Sequence, residues 1–119
     1  MNAVNLAEKF GLIHEHWSPR IAGALNGQHV KLIKLEGTFV WHSHPNEEEM
    51  FLVVRGSFAL ETREGLTTVN EGEFLIVPRG VEHRTVAERE AWVLHFAPEG
   101  LVNTGAVREA RTVEQPEWI

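Results

Sequence analysis

The stretch GTFVWHSHPNEEEMFLVVRG, residues 37–56, carries the pattern on which fold and function depend. Within it His42 and His44 are two residues apart, and Glu49 follows five residues after the second histidine. Side chains two apart on a strand leave the same face, and their backbone positions are roughly 6.5 Å apart. Two imidazoles at that spacing can lean onto one ion. The Pro-Asn dipeptide after them predicts a turn, which would return Glu49 to about the same level on the next antiparallel strand.

A second stretch, GEFLIVPRGVEH at residues 72–83, adds a third imidazole. Pro78 cannot donate to a sheet ladder, so it predicts the end of one strand, and His83 then stands at the start of the next. Three imidazoles and one carboxylate suit a borderline divalent ion and can leave coordination positions open. The candidate metal ligands are therefore His42, His44, Glu49 and His83.

Both stretches resemble motifs of the cupin superfamily. The first cupin motif runs Gly, His-x-His, three or four residues, Glu, six residues, Gly, as residues 37–56 do. The second runs Gly, five residues, Pro-x-Gly, two residues, His, and commonly an Asn four residues later; its positions correspond to residues 72–87. Two departures occur: four residues rather than five separate Gly37 from His42, and Ala87 replaces that Asn. Neither departure removes a candidate ligand.

The resemblance implies that residues 1–119 form a single cupin domain, of the small cupin-2 type loosely described as mannose-6-phosphate isomerase-like. It also implies one divalent metal ion, of Fe, Mn, Ni, Cu or Zn, held inside a barrel by the three histidines and a glutamate. Glu49 would be both a ligand and a candidate catalytic base. Glu48 satisfies the shorter motif spacing, but only Glu49 leaves six residues before Gly56, so Glu49 is the predicted ligand and Glu48 the alternative.

Strand alternation predicts the neighbours of the metal. If residues 38–44 form a strand with both histidines inward, Val40 also points inward, whereas Phe39 and Trp41 point outward. If Glu49 points inward, Phe51 and Val53 do too. The predicted pocket therefore includes Val40, Phe51, Val53 and His95.

Other polar residues have two interpretations. His95 alternates with apolar residues on its strand and could support a metal ligand or act as a base, although a satisfied half-buried histidine is the commoner case. Lys31 and Arg79 could contact an anionic substrate near the rim, although most such residues are simply solvated.

The rest of the sequence predicts an all-β fold, a β-barrel or jelly-roll double sheet of eight or nine short strands, and the resemblance implies that this is a cupin β-barrel. Glycines and prolines separate short segments rich in Val, Ile, Phe, Leu and Thr. Two of the predicted strands are Glu82–Val86 and Ala91–Phe96. A short N-terminal helix is predicted at about residues 3–11 with Asn5 as its cap, and a C-terminal tail at about 98–119 packs outside.

Composition excludes several classes of site. The chain has no Cys, and all seventeen of its acidic residues are Glu, so disulfides, Cys-ligated metals and Asp-rich calcium loops are ruled out. Eleven Lys and Arg give a net charge of −6, which argues against nucleic acid as a partner. No apolar run approaches the roughly 20 residues of a membrane helix, and no secretory leader is seen, so no membrane association is expected and the cytoplasm is the expected location.

These features together predict a divalent-metal-dependent enzyme, resembling cupin dioxygenases and oxidases, that acts on a small polar organic molecule. The alternatives are a mannose-6-phosphate isomerase-like sugar isomerase and a non-catalytic cupin that binds a small ligand or a metal. Cupins of this size are often homodimers, and a dimer would cover outward-facing aromatic residues such as Phe39 and Trp41.

Overall fold

The computed structural model describes residues 1–119 and confirms the all-β prediction, with seven antiparallel strands and one short helix. The elements are, in order, α1 (Leu6–Phe10), β1 (Arg20–Leu25), β2 (Gln28–Thr38), β3 (Glu49–Arg55), β4 (Ser57–Thr62), β5 (Gly65–Asn70), β6 (Phe74–Val77) and β7 (His83–Pro98).

The long strand β7 organises the sheet. The strand order is β1-β2-β7-β3-β6, and β4 pairs with both β7 and β5. The sequence analysis predicted two separate strands here, Glu82–Val86 and Ala91–Phe96. The separation is wrong, because residues 83–98 form one strand of 16 residues. Its first part pairs with β4 and its second part with β3, while β2 runs beside most of its length. One strand therefore spans both parts of the sandwich.

The predicted strand at residues 38–44 is also wrong. β2 ends at Thr38 after a register shift between Leu35 and Gly37, where Gly37 adopts a φ of 92°. The segment that follows makes only an isolated antiparallel bridge, between His42 and His83. An irregularity of this kind resets which side chains face inward. Phe39 is accordingly buried and stacked on Trp17, opposite to the prediction.

The helix and the tail pack against the sandwich, and the tail also places the buried Leu101 in its interior. Asn5 caps α1 by accepting a hydrogen bond from the Glu8 amide (2.9 Å), and the helix itself is five residues long, shorter than the predicted 3–11. Phe10 is fully buried and stacks on Trp92 of β7. The tail after Pro98 has no regular element, and its last residue binds back to β1 through the Ile119 amide and the Ile21 carbonyl (2.9 Å).

The core lies between the inner faces of the strands. Alternate residues of β3 and β7 are buried, as in Phe51, Val53, Ala91 and Val93, because successive side chains of a strand point to opposite faces of the sheet. The same alternation carries Glu49 and His95 into the interior, at the end of the core where the site forms. The only helix has five residues, so no helix is long and apolar enough to cross a membrane.

Candidate metal centre

Four side chains from three segments meet inside the sandwich. His42 and His83 form the isolated bridge, with His42 N to His83 O at 3.0 Å and His83 N to His42 O at 2.9 Å. Glu49 is the first residue of β3, and His44 lies in the loop before it. One ligand atom from each of His42, His44, Glu49 and His83 lies within 4.8 Å of the others, and all four residues are buried.

Backbone carbonyls orient two of the imidazoles. His42 Nδ1 lies 2.9 Å from the Val40 carbonyl oxygen, and His83 Nδ1 lies 2.9 Å from the Val81 carbonyl oxygen. A carbonyl only accepts, so Nδ1 carries the proton in both rings, and the neutral ring then has its lone pair on Nε2. Both lone pairs belong to the nitrogens that a metal ion would bind.

Glu49 lies at the centre of the cluster. Its Oε2 is 3.1 Å from His44 Nε2 and 3.2 Å from His83 Nε2, yet none of these three buried atoms has a hydrogen-bond partner of proper geometry. Two ligand atoms about 2.1 Å from one ion and at right angles to each other are about 3 Å apart. The observed spacing thus fits neighbouring positions around a metal ion, and such an ion would satisfy all three atoms.

The neighbouring acidic residue is placed differently. Glu48 is exposed, and its Oε1 lies 3.3 Å from Arg79 Nη1 on the surface. The structure brings Glu49, and not Glu48, together with the three histidines.

The protonation states suit metal binding. Burial opposes the charge on Glu49, but the three histidines around it outweigh burial and hold the pKa of Glu49 well below its usual value. Burial lowers the pKa of His42 to about 4. Burial also acts to lower the pKa of His83, yet the adjacent Glu49 carboxylate raises it overall. At neutral pH Glu49 is therefore ionised and His42 neutral, as ligands must be.

We expect acid to destabilise the metal-free protein through His42. The unfolded chain takes up this proton near pH 6.5, whereas the folded chain does so near pH 4, so stability falls as the pH drops through this range. His83, whose pKa is raised, is protonated in both states below pH 6.5. The melting temperature in EDTA should therefore fall from pH 6.5 to 5, and less steeply in His42→Gln. His95, whose pKa burial also lowers, would account for the remaining slope. Equal slopes in both proteins would contradict this assignment.

A small internal cavity opens beside the cluster. It has a volume of about 40 Å³, room for roughly three water molecules. His42 and Glu49 border it, whereas His44 and His83 do not. The other residues that line it are mainly apolar: Trp17, Pro19, Lys31, Ile33, Leu35, Phe39, Phe51, Thr85, His95, Leu101 and Asn103. Water or a small ligand would reach an ion in the cluster from this side.

The predicted pocket residues have different locations. Phe51 and His95 line the cavity, but Val40 and Val53 do not. Val53 lies deeper, in the hydrophobic core. Val40 is displaced by the irregularity before it, and Phe39 lines the cavity instead.

Sequence reasoning missed the residues that close the cavity from other segments. Trp17 precedes β1, and Leu101 and Asn103 belong to the tail, so no local pattern links them to the motifs. Ile33 and Leu35 alternate with Lys31 on β2, and this alternation was the one available signal that they share a face.

His95 supports Glu49. Its ring is buried, and its Nε2 lies 2.8 Å from Glu49 Oε1, the oxygen turned away from His44 and His83. The carboxylate can only accept, so His95 Nε2 donates and fixes the orientation of the carboxylate. Partners of this kind orient metal ligands.

We expect His95→Gln to weaken metal binding by about 10- to 100-fold while leaving the four ligands in place. Competition with a chelator measures the affinity. The matched control is His29→Gln, which removes a histidine whose Nε2 lies 3.5 Å from Glu99 Oε2, outside the cavity, and should leave the metal affinity unchanged. An unchanged affinity in His95→Gln would show that Glu49 needs no such support.

Comparison with known proteins identifies the family. Residues 29–96 match the cupin domain family. The crystal structure of a cupin-2 domain containing protein from Shewanella frigidimarina is 37% identical, with a TM-score of 0.80 over 82% of this chain and 95% of that chain. The uncharacterized protein YdbB of Bacillus subtilis is 32% identical over 62 residues, 51% of this chain and 55% of YdbB. The hydroquinone 1,2-dioxygenase PnpCD, solved with Cd²⁺ and 4-hydroxybenzonitrile, is 18% identical with a TM-score of 0.70 over 81% and 72% of the two chains, and shares the fold.

The extent of these matches defines what they show. The chain spans about half the length of the curated relatives it matches. The family match covers more than half of the chain and includes both stretches that supply the histidines and Glu49. The chain belongs to the cupin family.

Proposed function

We propose that this cupin is a divalent-metal-dependent oxidoreductase, of the dioxygenase or oxidase kind, acting on a small organic molecule. The observation that carries the proposal is the arrangement of the cluster beside the cavity. Structural metal sites are closed by four protein ligands, whereas catalytic sites keep a position open to water or substrate. Here four candidate ligand atoms lie within 4.8 Å of one another, and two of the residues that carry them border a cavity from which water or substrate would reach an ion of higher coordination number.

The chain's own residues would hold and shape the reaction. His42, His44, Glu49 and His83 would bind the ion, of Fe, Mn, Ni, Cu or Zn, which when bound supplies Lewis acidity and, if redox-active, electron transfer. The apolar walls exclude water and so strengthen electrostatic interactions within the cavity. Glu49 would bind the ion, and it remains the candidate catalytic base.

Charge argues against the sugar isomerase alternative. Lys31 is the one Lys or Arg that lines the cavity, so the cavity lacks a cluster of phosphate-binding groups. The hydroquinone dioxygenase shares the fold and so supports the oxidoreductase proposal only as an example of that chemistry on this scaffold.

Oxygen uptake tests the proposal. Protein loaded in turn with Fe(II), Mn(II), Ni(II) and Cu(II) is screened with small hydroxylated acids and phenols in an oxygen electrode, beside the same protein with Glu49→Gln. The proposal predicts substrate-dependent oxygen uptake that the variant lacks. Metal binding without uptake for any pair of metal and substrate would favour the non-catalytic binding cupin.

The homodimer remains a prediction, but the two aromatic residues first expected to support it are not exposed. Phe39 is buried, and Trp41 is half-buried beneath Arg63, whose guanidinium carbon lies 3.8 Å from the ring centroid. Neither residue therefore offers the exposed aromatic surface that sequence analysis expected. Sedimentation equilibrium would decide between a monomer of 13.5 kDa and twice that mass.

A further inference from the structure

Lys31 is an unusual residue to find inside a sandwich. It is 3% exposed, and its alternation with Ile33 and Leu35 along β2 places it on the inner face. Its register partner on β7 is His95, so both side chains leave the same face of the sheet. Both residues line the cavity that His42 and Glu49 border.

The ammonium group of Lys31 has little to compensate its charge. Its single hydrogen bond goes to the Leu101 carbonyl oxygen at 3.2 Å, and Glu49 and Glu47 act on it only through space. Lysine is almost never fully buried unless it is paired, because desolvating an ammonium ion is costly. Burial lowers the pKa of Lys31 for this reason. An anion in the cavity would remove the cost.

A second polar atom beside Lys31, the Nδ1 of His95, has no hydrogen-bond partner. His95 Nδ1 is buried and unbonded, since the hydrogen bond of this ring to Glu49 uses Nε2. Apolar residues such as Phe51 and Leu101 form much of the remaining lining. The cavity thus combines apolar walls with few polar groups, as small-molecule sites do.

We propose that Lys31 forms an anion subsite in this cavity, and that the substrate is a small organic acid whose carboxylate contacts Lys31 Nζ while His95 Nδ1 binds a second polar group. The inference rests on the proposed function for the neighbouring metal. A divalent ion and Lys31 together outweigh the negative charge of Glu49, so the occupied site favours an anionic ligand.

Calorimetric titration tests the subsite. The probes are formate, acetate and glycolate, with acetamide and glycolamide as uncharged analogues, each added to Co(II)-loaded and to metal-free protein. The variants are Lys31→Met and the matched control Lys34→Met. Lys34 lies on the same strand and also donates to one backbone carbonyl, that of Ile13 (2.8 Å), but outside the cavity.

At least one of the acids should bind wild type and Lys34→Met with equal affinity. The same acid should bind Lys31→Met at least tenfold more weakly. The uncharged amides should bind none of the three proteins. Equal binding to wild type and Lys31→Met, or no binding of any acid to wild type at 100 mM, would overturn the subsite. The ¹⁵N NMR signal of Lys31 Nζ provides a readout that needs no variant. The bound acid should shift this signal and leave the signal of Lys34 Nζ unchanged. If Co(II) itself fails to bind, the proposed function fails, and the metal-free titration still decides the subsite.

Discussion

Replacing Glu49 with glutamine should reduce the affinity for a divalent ion at least about 100-fold, because it removes the one negative charge among the proposed ligands. Loss of a residue that merely supports a ligand typically costs 10- to 100-fold, so loss of the charged ligand should cost at least the upper value. Glutamine keeps the shape of the side chain. The effect should therefore lie in metal binding and not in packing, and chelator competition measures it.

The adjacent glutamate provides the control. Glu48→Gln removes the same charge one residue away, where the side chain is exposed and paired with Arg79. Its metal affinity should equal that of wild type, because a surface ion pair contributes little. A large loss in Glu48→Gln, or none in Glu49→Gln, would reverse the assignment of the carboxylate.

The change Gly105→Ala should lower the free energy of unfolding by about 3 kcal/mol, since it combines two penalties. Gly105 has a φ of 61°, in the left-handed region, which costs a residue with a Cβ about 1–2 kcal/mol. That Cβ would also collide with the Ser43 carbonyl oxygen and lie 3.5 Å from the Cβ of His42. Either the tail or the segment that holds His42 must move, so metal binding should weaken too. Urea denaturation and chelator competition measure the two effects.

Gly100→Ala separates these penalties. Gly100 lies in the same tail with a φ of 89°, but a Cβ there would meet nothing within 4 Å. This variant should lose about 2 kcal/mol less stability than Gly105→Ala, because it avoids overpacking, and should bind metal normally. Equal losses in the two variants would show that the contact between the tail and Ser43 is loose.

The clustering of His42, His44, Glu49 and His83 was predictable because it depends on short spacings within two stretches, residues 37–56 and 72–83, that Gly and Pro punctuate. The strand that follows the first histidine pair was predictable in its extent, because Gly56 marks its end and the structure ends it at Arg55.

The features that sequence reasoning missed depend on pairing between distant segments. The register shift near Gly37 is a property of β2 against β7, and it turned Phe39 inward and Val40 away from the cavity. The exposed residues 88–90 resemble a turn, yet β7 continues through them. The tail has no periodicity, so nothing in it indicated that Leu101 would accept a hydrogen bond from Lys31, 70 residues away.

Metal content is the most direct test of the central claim that the three histidines and Glu49 form a metal site. Elemental analysis of the purified, untagged protein is compared with that of His42→Gln/His44→Gln and of the control His14→Gln/His16→Gln, in which both histidines are exposed. We expect close to one equivalent of Fe, Mn, Ni, Cu or Zn in wild type and control, and none in the first variant. No metal in wild type, even after incubation with each ion, or equal metal in all three proteins, would contradict the account.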